Sequence, residues 1–313
     1  MTDLVVRKIA WEFDGSVPFL WQPANPSFGI FCNAFTFIAV PFEKYIISSL
    51  RQAQDRLAEQ ADVAEEAEAF LRQEAQHASA HRKHMLGLIE RYPALEQCYQ
   101  DTVDSYDDLI KSEPVEFHAA YIANLEATFT PLFKVFLDNR ETLFGGGDQR
   151  DASLMMWHFV EEIEHRSSGL ILYRHLSPDP WYRVKHIRET FRHVSAVAAN
   201  IAAAFDEHVP VEDRGASARQ VMSPALLVDE FRFRGPGGTR RRARRSGAPT
   251  LFNGVPTSHL AKMVWRLALS QAPNHDPADQ PLPQWADTWM REYARGTDMT
   301  AFFGTPPDAG DER

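Results

Sequence analysis

The sequence is poor in the features that mark secreted and disulfide-stabilised proteins. Of its 313 residues only two are cysteine, Cys32 and Cys98. Two cysteines cannot form a disulfide framework or a thiolate metal site, and they fit a reducing compartment. Residues 1–16 contain no apolar segment followed by a small-residue cleavage site, so no secretory signal is predicted. We therefore expect a cytoplasmic protein.

No hydrophobic run is long enough to predict a membrane span. The most apolar stretch, residues 28–42, has about 15 residues, contains Asn33 and Pro41, and falls short of the roughly 20 that cross a bilayer. The formal net charge of -10 also argues against a general binder of nucleic acid. One short basic run, residues 240–245, follows a glycine-rich segment without interleaved aromatic residues. We interpret it as a solvated loop without a function of its own.

The remaining sequence has helical periodicity and no strand-like run with hairpin turns. It predicts an all-α protein, a ferritin-like four-helix bundle with additional C-terminal helices. The four long helices are expected over about residues 34–59, 63–91, 114–143 and 151–175, and further helices over 181–208, 258–271 and 284–295. The predicted parts of the chain are an N-terminal arm (residues 1–30), the two-metal bundle (31–210), and a C-terminal loop with accessory helices packed on the bundle (211–313).

Two of the long helices contain the motif Glu-x-x-His. Glu74 and His77 lie in the second helix, and Glu162 and His165 lie in the fourth. Three residues are just under one helical turn, so the two side chains project from one face and can bind a single ion. One such motif is common by chance and would most often be a surface ion pair. Two copies on separate long helices indicate a shared metal site.

The other two long helices offer the carboxylates that a two-metal bundle also needs. Glu43 and Glu126 each stand in an apolar run, where burying a carboxylate is costly unless a cation compensates. His158 lies four residues before Glu162, within about 60° of the same helix face. We expect it to add a nitrogen ligand, with a core histidine as the alternative. The predicted metal ligands are Glu43, Glu74, His77, Glu126, His158, Glu162 and His165.

Four further side chains are predicted to touch the ligands and orient them. His81 and His84 share the face of Glu74 and His77, and either could also bind metal. His118 lies about two turns before Glu126, so an orienting role and a plain core position both remain open. Glu161 points away from the metal-facing side of its helix. These four predicted neighbours of the site are His81, His84, His118 and Glu161.

Three segments resemble a known family. Residues 31–43 (FCNAFTFIAVPFE), 73–81 (QEAQHASAH) and 157–165 (WHFVEEIEH) resemble the bacterial family of predicted metal-dependent hydrolases, over roughly residues 5–210. That family usually has glycine directly before the first-helix glutamate, where this chain has Phe42. The ligand order is also similar to that of the di-iron arylamine N-oxygenases of the p-aminobenzoate N-oxygenase type. This second resemblance covers the motifs only, and it implies the same seven ligands.

Three functions follow from these patterns. The first is a non-haem di-iron oxygenase or oxidase, with two Fe ions (or Mn and Fe), O2 as co-substrate, a small organic substrate and an external electron donor. Its reaction would be N-oxygenation, hydroxylation or desaturation. The second is a metal-dependent hydrolase, although no unligated general acid or base stands out. The third is a non-enzymatic metal-binding protein. No nucleic-acid partner or membrane span is expected, and the sequence leaves a homodimer open.

Overall fold

The described part of the protein consists of helices and connecting segments, without a β-strand. The structure, a computed structural model, describes residues 2–223, 250–280 and 282–303. The basic run 240–245 lies outside these residues. The longer helices are α1 (Pro26–Gln52), α2 (Ala61–Arg91), α3 (Leu95–Ser112), α4 (Val115–Asp138), α5 (Gln149–Glu164), α6 (Ser168–Leu176), α7 (Pro180–Lys185), α8 (Ile187–His208), α9 (Thr257–Ser270) and α10 (Gln284–Ala294). One-turn helices cover Gln54–Leu57, Arg140–Leu143, Val211–Arg214 and Ala218–Val221, and 3₁₀ turns cover Pro277–Asp279 and Met299–Ala301.

Four of these helices form a closed bundle. α1 packs against α2 and α4, and α5 packs against the same two helices. Aromatic side chains fill the space between them: the rings of Phe133 and Phe159 stack with centroids 4.2 Å apart, and Phe28 meets Phe136 edge to face at 5.3 Å. Such pairs contribute about 0.5–1.5 kcal/mol each beyond area burial. The predicted all-α bundle is confirmed, and its rigid core holds the four helices in register.

Helix α1 begins well before the predicted start at residue 34. Asn25 caps it by accepting a hydrogen bond from the backbone N–H of Phe28, and Pro26 occupies the first turn, where no donor is needed. The helix continues through Pro41 to Gln52. By length and composition α1 could cross a membrane, yet 72% of its most apolar window is buried inside the protein. Its apolar character therefore reflects burial within the bundle.

Helix α5 ends earlier than predicted. Asp148 caps its start by accepting hydrogen bonds from the N–H groups of Arg150 and Asp151. Its end is Glu164 rather than a residue near 175, because the weak helix formers around Ser168 interrupt the chain before α6 begins. His165 is the residue that follows the last turn. The predicted helix 181–208 is likewise divided, at His186, into α7 and α8.

The C-terminal helices pack on the outside of the bundle. α9 packs against α4, and the N-terminal arm contacts α10 through Arg7, whose guanidinium lies 5.7 Å from the ring centroids of both Trp289 and Tyr293. Asn25, at the start of α1, donates a hydrogen bond of 3.1 Å to the carbonyl of Leu251. The N-terminal arm and the start of α1 are thus both attached to the C-terminal part of the described chain.

Candidate metal centre

The bundle brings the seven predicted ligands together in a buried polar layer. Six of them form two groups, and within each group the potential ligand atoms lie within 4.8 Å of one another. The first group is Glu43, His77 and His158, and the second group is Glu74, Glu162 and His165. Glu126 lies beside the second group, with its Oε2 3.6 Å from Nε2 of His165. Every one of these side chains is almost completely buried.

Glu162 lies between the two groups. Its Oε1 is 2.9 Å from Nε2 of His158 and 3.7 Å from Nδ1 of His77, while its Oε2 is 3.3 Å from Nε2 of His165. A carboxylate placed in this way can bridge two ions. Glu74 also departs from the expectation that it shares one ion with His77. Its Oε1 is 4.0 Å from Nδ1 of His77 but 3.5 Å from Nε2 of His165, because α2 passes across both groups.

The chemistry of these atoms fits a pair of divalent cations. Within the described residues, Oε2 of Glu43, both carboxylate oxygens of Glu74 and of Glu126, and Nδ1 of His77 have no hydrogen-bond partner. Buried polar atoms are almost always satisfied, so a cluster of unsatisfied acceptors needs an explanation. Cations compensate such a cluster, and mixed carboxylate and imidazole ligands suit first-row transition metals such as iron or manganese.

Without metal, the site must hold protons instead. Burial, with repulsion from neighbouring carboxylates added, raises the pKa of Glu43 and Glu74 well above the usual range, and burial and Glu162 do the same for Glu126. Burial also opposes charge on Glu162, but His165 and His158 outweigh it and lower the pKa of that carboxyl. Metal binding would displace these protons, so metal affinity should increase with pH.

The pKa values of His158, His81 and His165 are shifted in different directions by burial and by neighbouring charges. Burial and the nearby His77 lower the pKa of His158 to about 4. Burial also lowers the pKa of His81 well below its usual value. For His165, attraction to Glu162 outweighs burial and raises the pKa to about 9. His158 and His81 are therefore neutral at neutral pH, which is the form that binds metals.

A buried ionic network orients two of the imidazoles. His77 Nε2 hydrogen-bonds Oε2 of Glu161 at 2.9 Å, so its Nδ1 faces the site. His165 Nδ1 donates to Oε1 of Gln73 at 3.1 Å, so its Nε2 faces the site. Arg7 holds Glu161 directly, at 3.0 Å. It holds Gln73 indirectly, because it binds both oxygens of Glu164 at 2.8 Å and Gln73 donates to Glu164 at 2.8 Å.

The predicted neighbours of the site fall into three cases. Glu161 and His81 touch predicted ligands directly, since His81 Nε2 is 2.9 Å from Nδ1 of His158. His84 lies one step further out, where it contacts Thr36. His118 hydrogen-bonds the hydroxyl of Tyr45 at 2.9 Å, which agrees with the core position of its two alternatives. Eight residues before Glu126 it lies about 12 Å away along α4 and is rotated by about 80°.

Several residues at the site carried no signal in the sequence. Neither Arg7 nor Thr36 belongs to a Glu-x-x-His motif, and Gln73 differs from Gln76, the other glutamine of α2, only by preceding Glu74. Asp151 was assigned only to a helix start. Gly169 allows the close approach of α6 to α4, because a Cβ there would lie 2.9 Å from Cγ of Glu126.

The comparisons with known proteins agree with this geometry. Residues 5–229, well over half of the chain, match the model of a family described as predicted metal-dependent hydrolase. The chain belongs to this family. No curated protein and no solved structure gives a significant match. The buried, unsatisfied carboxylates and imidazoles are consistent with the metal dependence in the family's description.

In this member of the family, an apolar cavity leads to the candidate metal centre. It has a volume of about 320 Å³ and reaches Glu43, Glu74, His158 and Glu162. Helices α1, α4 and α8 supply most of its wall, and its remaining lining is Phe31, Phe35, Ile38, Ala39, Phe42, Leu125, Thr128, Phe129, Leu132, Phe133, Phe191, Val194, Ser195, Ala198 and Met222. Phe42, at the position where the family usually has glycine, is part of this wall. Apart from the predicted ligands, the cavity lining is thus almost entirely hydrocarbon.

Proposed function

We propose that this protein is a two-metal oxygenase or oxidase that holds iron and oxidises a small, neutral organic substrate in the apolar cavity. The observation that carries the proposal is the cavity itself, since its wall ends on four of the predicted ligands and offers the substrate almost nothing but apolar contacts. Bound iron would supply the reaction with O2. The chain's own part is to hold the substrate, exclude water and fix the ligands.

The cavity supports a particular class of substrate. Its polar groups other than the predicted ligands are the hydroxyls of Thr128 and Ser195, and Thr128 already donates to the carbonyl of Leu125 at 2.7 Å. A charged substrate would lose its hydration without a partner, which is costly. An aromatic or aliphatic molecule would instead be stabilised by burial against the phenylalanines. Cavities of about this volume hold small organic ligands.

The reaction also requires a source of electrons. When one atom of O2 enters the substrate and the other leaves as water, two electrons and two protons must be supplied. We therefore propose an external electron donor as a partner. Desaturation of the substrate has the same requirement, because both oxygen atoms then leave as water.

The family's description carries a second candidate, a metal-dependent hydrolase. In that reaction the metal ions would lower the pKa of a water molecule, which then attacks an ester or phosphate. The transition state would gain charge next to the cavity wall. That wall provides no cationic side chain among the described lining residues. The apolar lining supports the oxygenase proposal, whereas the family's description supports the hydrolase.

The two candidates are separated by loading the metal-free protein with Fe(II) under anaerobic conditions and then adding O2. The proposal predicts O2 consumption with a transient visible absorbance. Glu74→Ala should abolish both, whereas Glu68→Ala, on the exposed side of the same helix, should leave both unchanged. A colourless protein that consumes no O2 but cleaves a panel of esters or phosphates would instead establish the hydrolase.

A further inference from the structure

A row of hydrogen-bonding groups extends from the candidate metal centre to the start of α5. His158 Nδ1 is 2.9 Å from Nε2 of His81, and His81 Nδ1 is 2.9 Å from Oγ1 of Thr36. The same hydroxyl is 3.0 Å from Nδ1 of His84, and Nε2 of that ring approaches Oδ1 of Asp151 to 2.8 Å as an ion-pair contact whose geometry is not that of a hydrogen bond. All five side chains are buried. None of the four outer groups lies in the cavity wall, so the row is separate from the substrate space.

The chemistry of the groups determines which of them donates and which accepts at each contact, and so gives the row a direction. Burial raises the pKa of Asp151, whereas the adjacent His84 and the first turn of α5 favour its negative charge. In that charged form Asp151 can only accept. At 2.8 Å its charge favours a proton on Nε2 of His84, because a lone pair there would face the carboxylate directly. A neutral imidazole has one N–H, so Nδ1 of His84 accepts from the hydroxyl of Thr36. The hydroxyl oxygen then accepts from Nδ1 of His81.

The same logic fixes the tautomer of His158. Once Nδ1 of His81 donates, its Nε2 has a lone pair and accepts from Nδ1 of His158. Nε2 of His158 then carries a lone pair and faces the site, 2.9 Å from Oε1 of Glu162. If every donor and acceptor in the row were exchanged, Nε2 of His84 would turn a lone pair toward the carboxylate of Asp151 at 2.8 Å. His158 would then donate its Nε2 proton to Glu162. Only the first direction leaves His158 able to bind a metal.

We propose that Asp151, His84, Thr36 and His81 are positioning residues that hold His158 as a neutral metal ligand through Nε2. The inference rests on the two-metal site of the proposed function and extends it to a chain of residues that do not touch the metals. Because His158 belongs to the first group, the chain should act mainly on the affinity of that group, although Glu162 of the second group is a neighbour of the same nitrogen. It also assigns a role to His158, the histidine of α5 that lies outside the Glu-x-x-His motif.

The test is a titration of the metal-free protein with Co(II), followed by absorbance and calorimetry. Thr36→Val removes the hydroxyl at nearly constant volume, and Thr36→Ser keeps it. Loss of an outer partner of a ligating histidine lowers metal affinity by about 10–100-fold. Thr36 acts on His158 through His81, so we expect a loss toward the lower end of that range in Thr36→Val for one of two Co(II) equivalents, with a changed ligand-field spectrum. Thr36→Ser should bind both equivalents like the unaltered protein.

Asp151→Asn provides an independent variant at the far end of the chain. It removes the charge that sets the direction, so the same equivalent should weaken, although less than in Thr36→Val. Normal binding of both Co(II) equivalents by Thr36→Val or by Asp151→Asn would overturn the inference. It would also be overturned if Thr36→Ser lost as much affinity for both equivalents as Thr36→Val did. If the unaltered protein bound no Co(II), the two-metal site of the proposed function would fail as well.

Discussion

Arg7 joins the N-terminal arm to Glu161 and Glu164, through which the ligands His77 and His165 are oriented. Its replacement by methionine is a sharp test of that role. The side chain is 3% exposed and makes charge-assisted contacts of 2.8–3.0 Å with Glu161 and Glu164. The two carboxylates raise the pKa of the guanidinium despite its burial, so Arg7 is permanently charged. Methionine keeps most of the apolar stem but removes the charge and all of its donors.

The expected loss is large because both partners are shielded from solvent, Glu161 completely and Glu164 with 13% of its side chain exposed. Glu161 is 0% exposed, and removal of Arg7 would leave it and Glu164 without their cation. Breaking a buried ion pair by removing one partner costs about 3–5 kcal/mol. Since Glu161 also holds the metal-facing orientation of His77, metal affinity should fall by about 10–100-fold.

Urea unfolding of the metal-free protein and titration with Fe(II) measure the two effects separately. Arg72→Met is the matched control, because Arg72 and its partner Glu68 are 66% and 61% exposed and such pairs contribute about 0–1 kcal/mol. Arg7→Met should lower both the free energy of unfolding and the metal affinity, and Arg72→Met should change neither appreciably. Equal behaviour of the two variants would refute the role of Arg7.

Three further predictions concern the metal-free protein and its loading. The free energy of unfolding of the metal-free protein should fall as pH rises, because folding raises the pKa of Glu43, Glu74 and Glu126. This contribution is complete below 4.5, the pKa of these carboxyls in the unfolded chain, and is lost at higher pH. Equal urea midpoints at about pH 5 and about pH 8 would contradict this. Gly169→Ala should displace Glu126 and weaken binding of one metal equivalent in a Co(II) titration, whereas Gly29→Ala, where a Cβ meets its nearest atom at 3.5 Å, should not. Fe(II) at about 100 times its Kd should stabilise the fold by about 2.7 kcal/mol for each ion bound, and an unchanged melting temperature would exclude a buried site.

The helices that carry the ligands were predictable because their hydrophobic periodicity is long and their ends carry clear signals. The departures have local causes. α1 starts at Pro26 because Asn25 supplies a cap that lies within a proline-rich stretch, which by itself indicates turns. α3 was not predicted: its first residues have no side-chain cap, and its apolar face, with Cys98 and Tyr106 buried, is set among acidic residues.

The site divides in the same way into what spacing can and cannot predict. Spacing within one helix places Glu162 and His165 on one side, but only the packing of α2 across α5 determines that Glu74 and His77 belong to different groups. Arg7 approaches the site from a segment without regular structure, so no periodicity could indicate it. The order of contacts from His158 to Asp151 likewise depends on how α1, α2 and α5 pack together. Sequence spacing within one of these helices cannot predict it.

The most direct test of the central claim is a crystal structure of the Fe(II)-loaded protein with anomalous data collected at the iron edge. Two peaks should appear about 3.5–4 Å apart, one held by Glu43, His77 and His158 and the other by Glu74, Glu162 and His165. The ligating nitrogens should lie about 2.0–2.3 Å from the ions, as imidazole ligands do. Iron bound elsewhere, or no iron within this cluster, would contradict the two-metal site on which the proposed function depends.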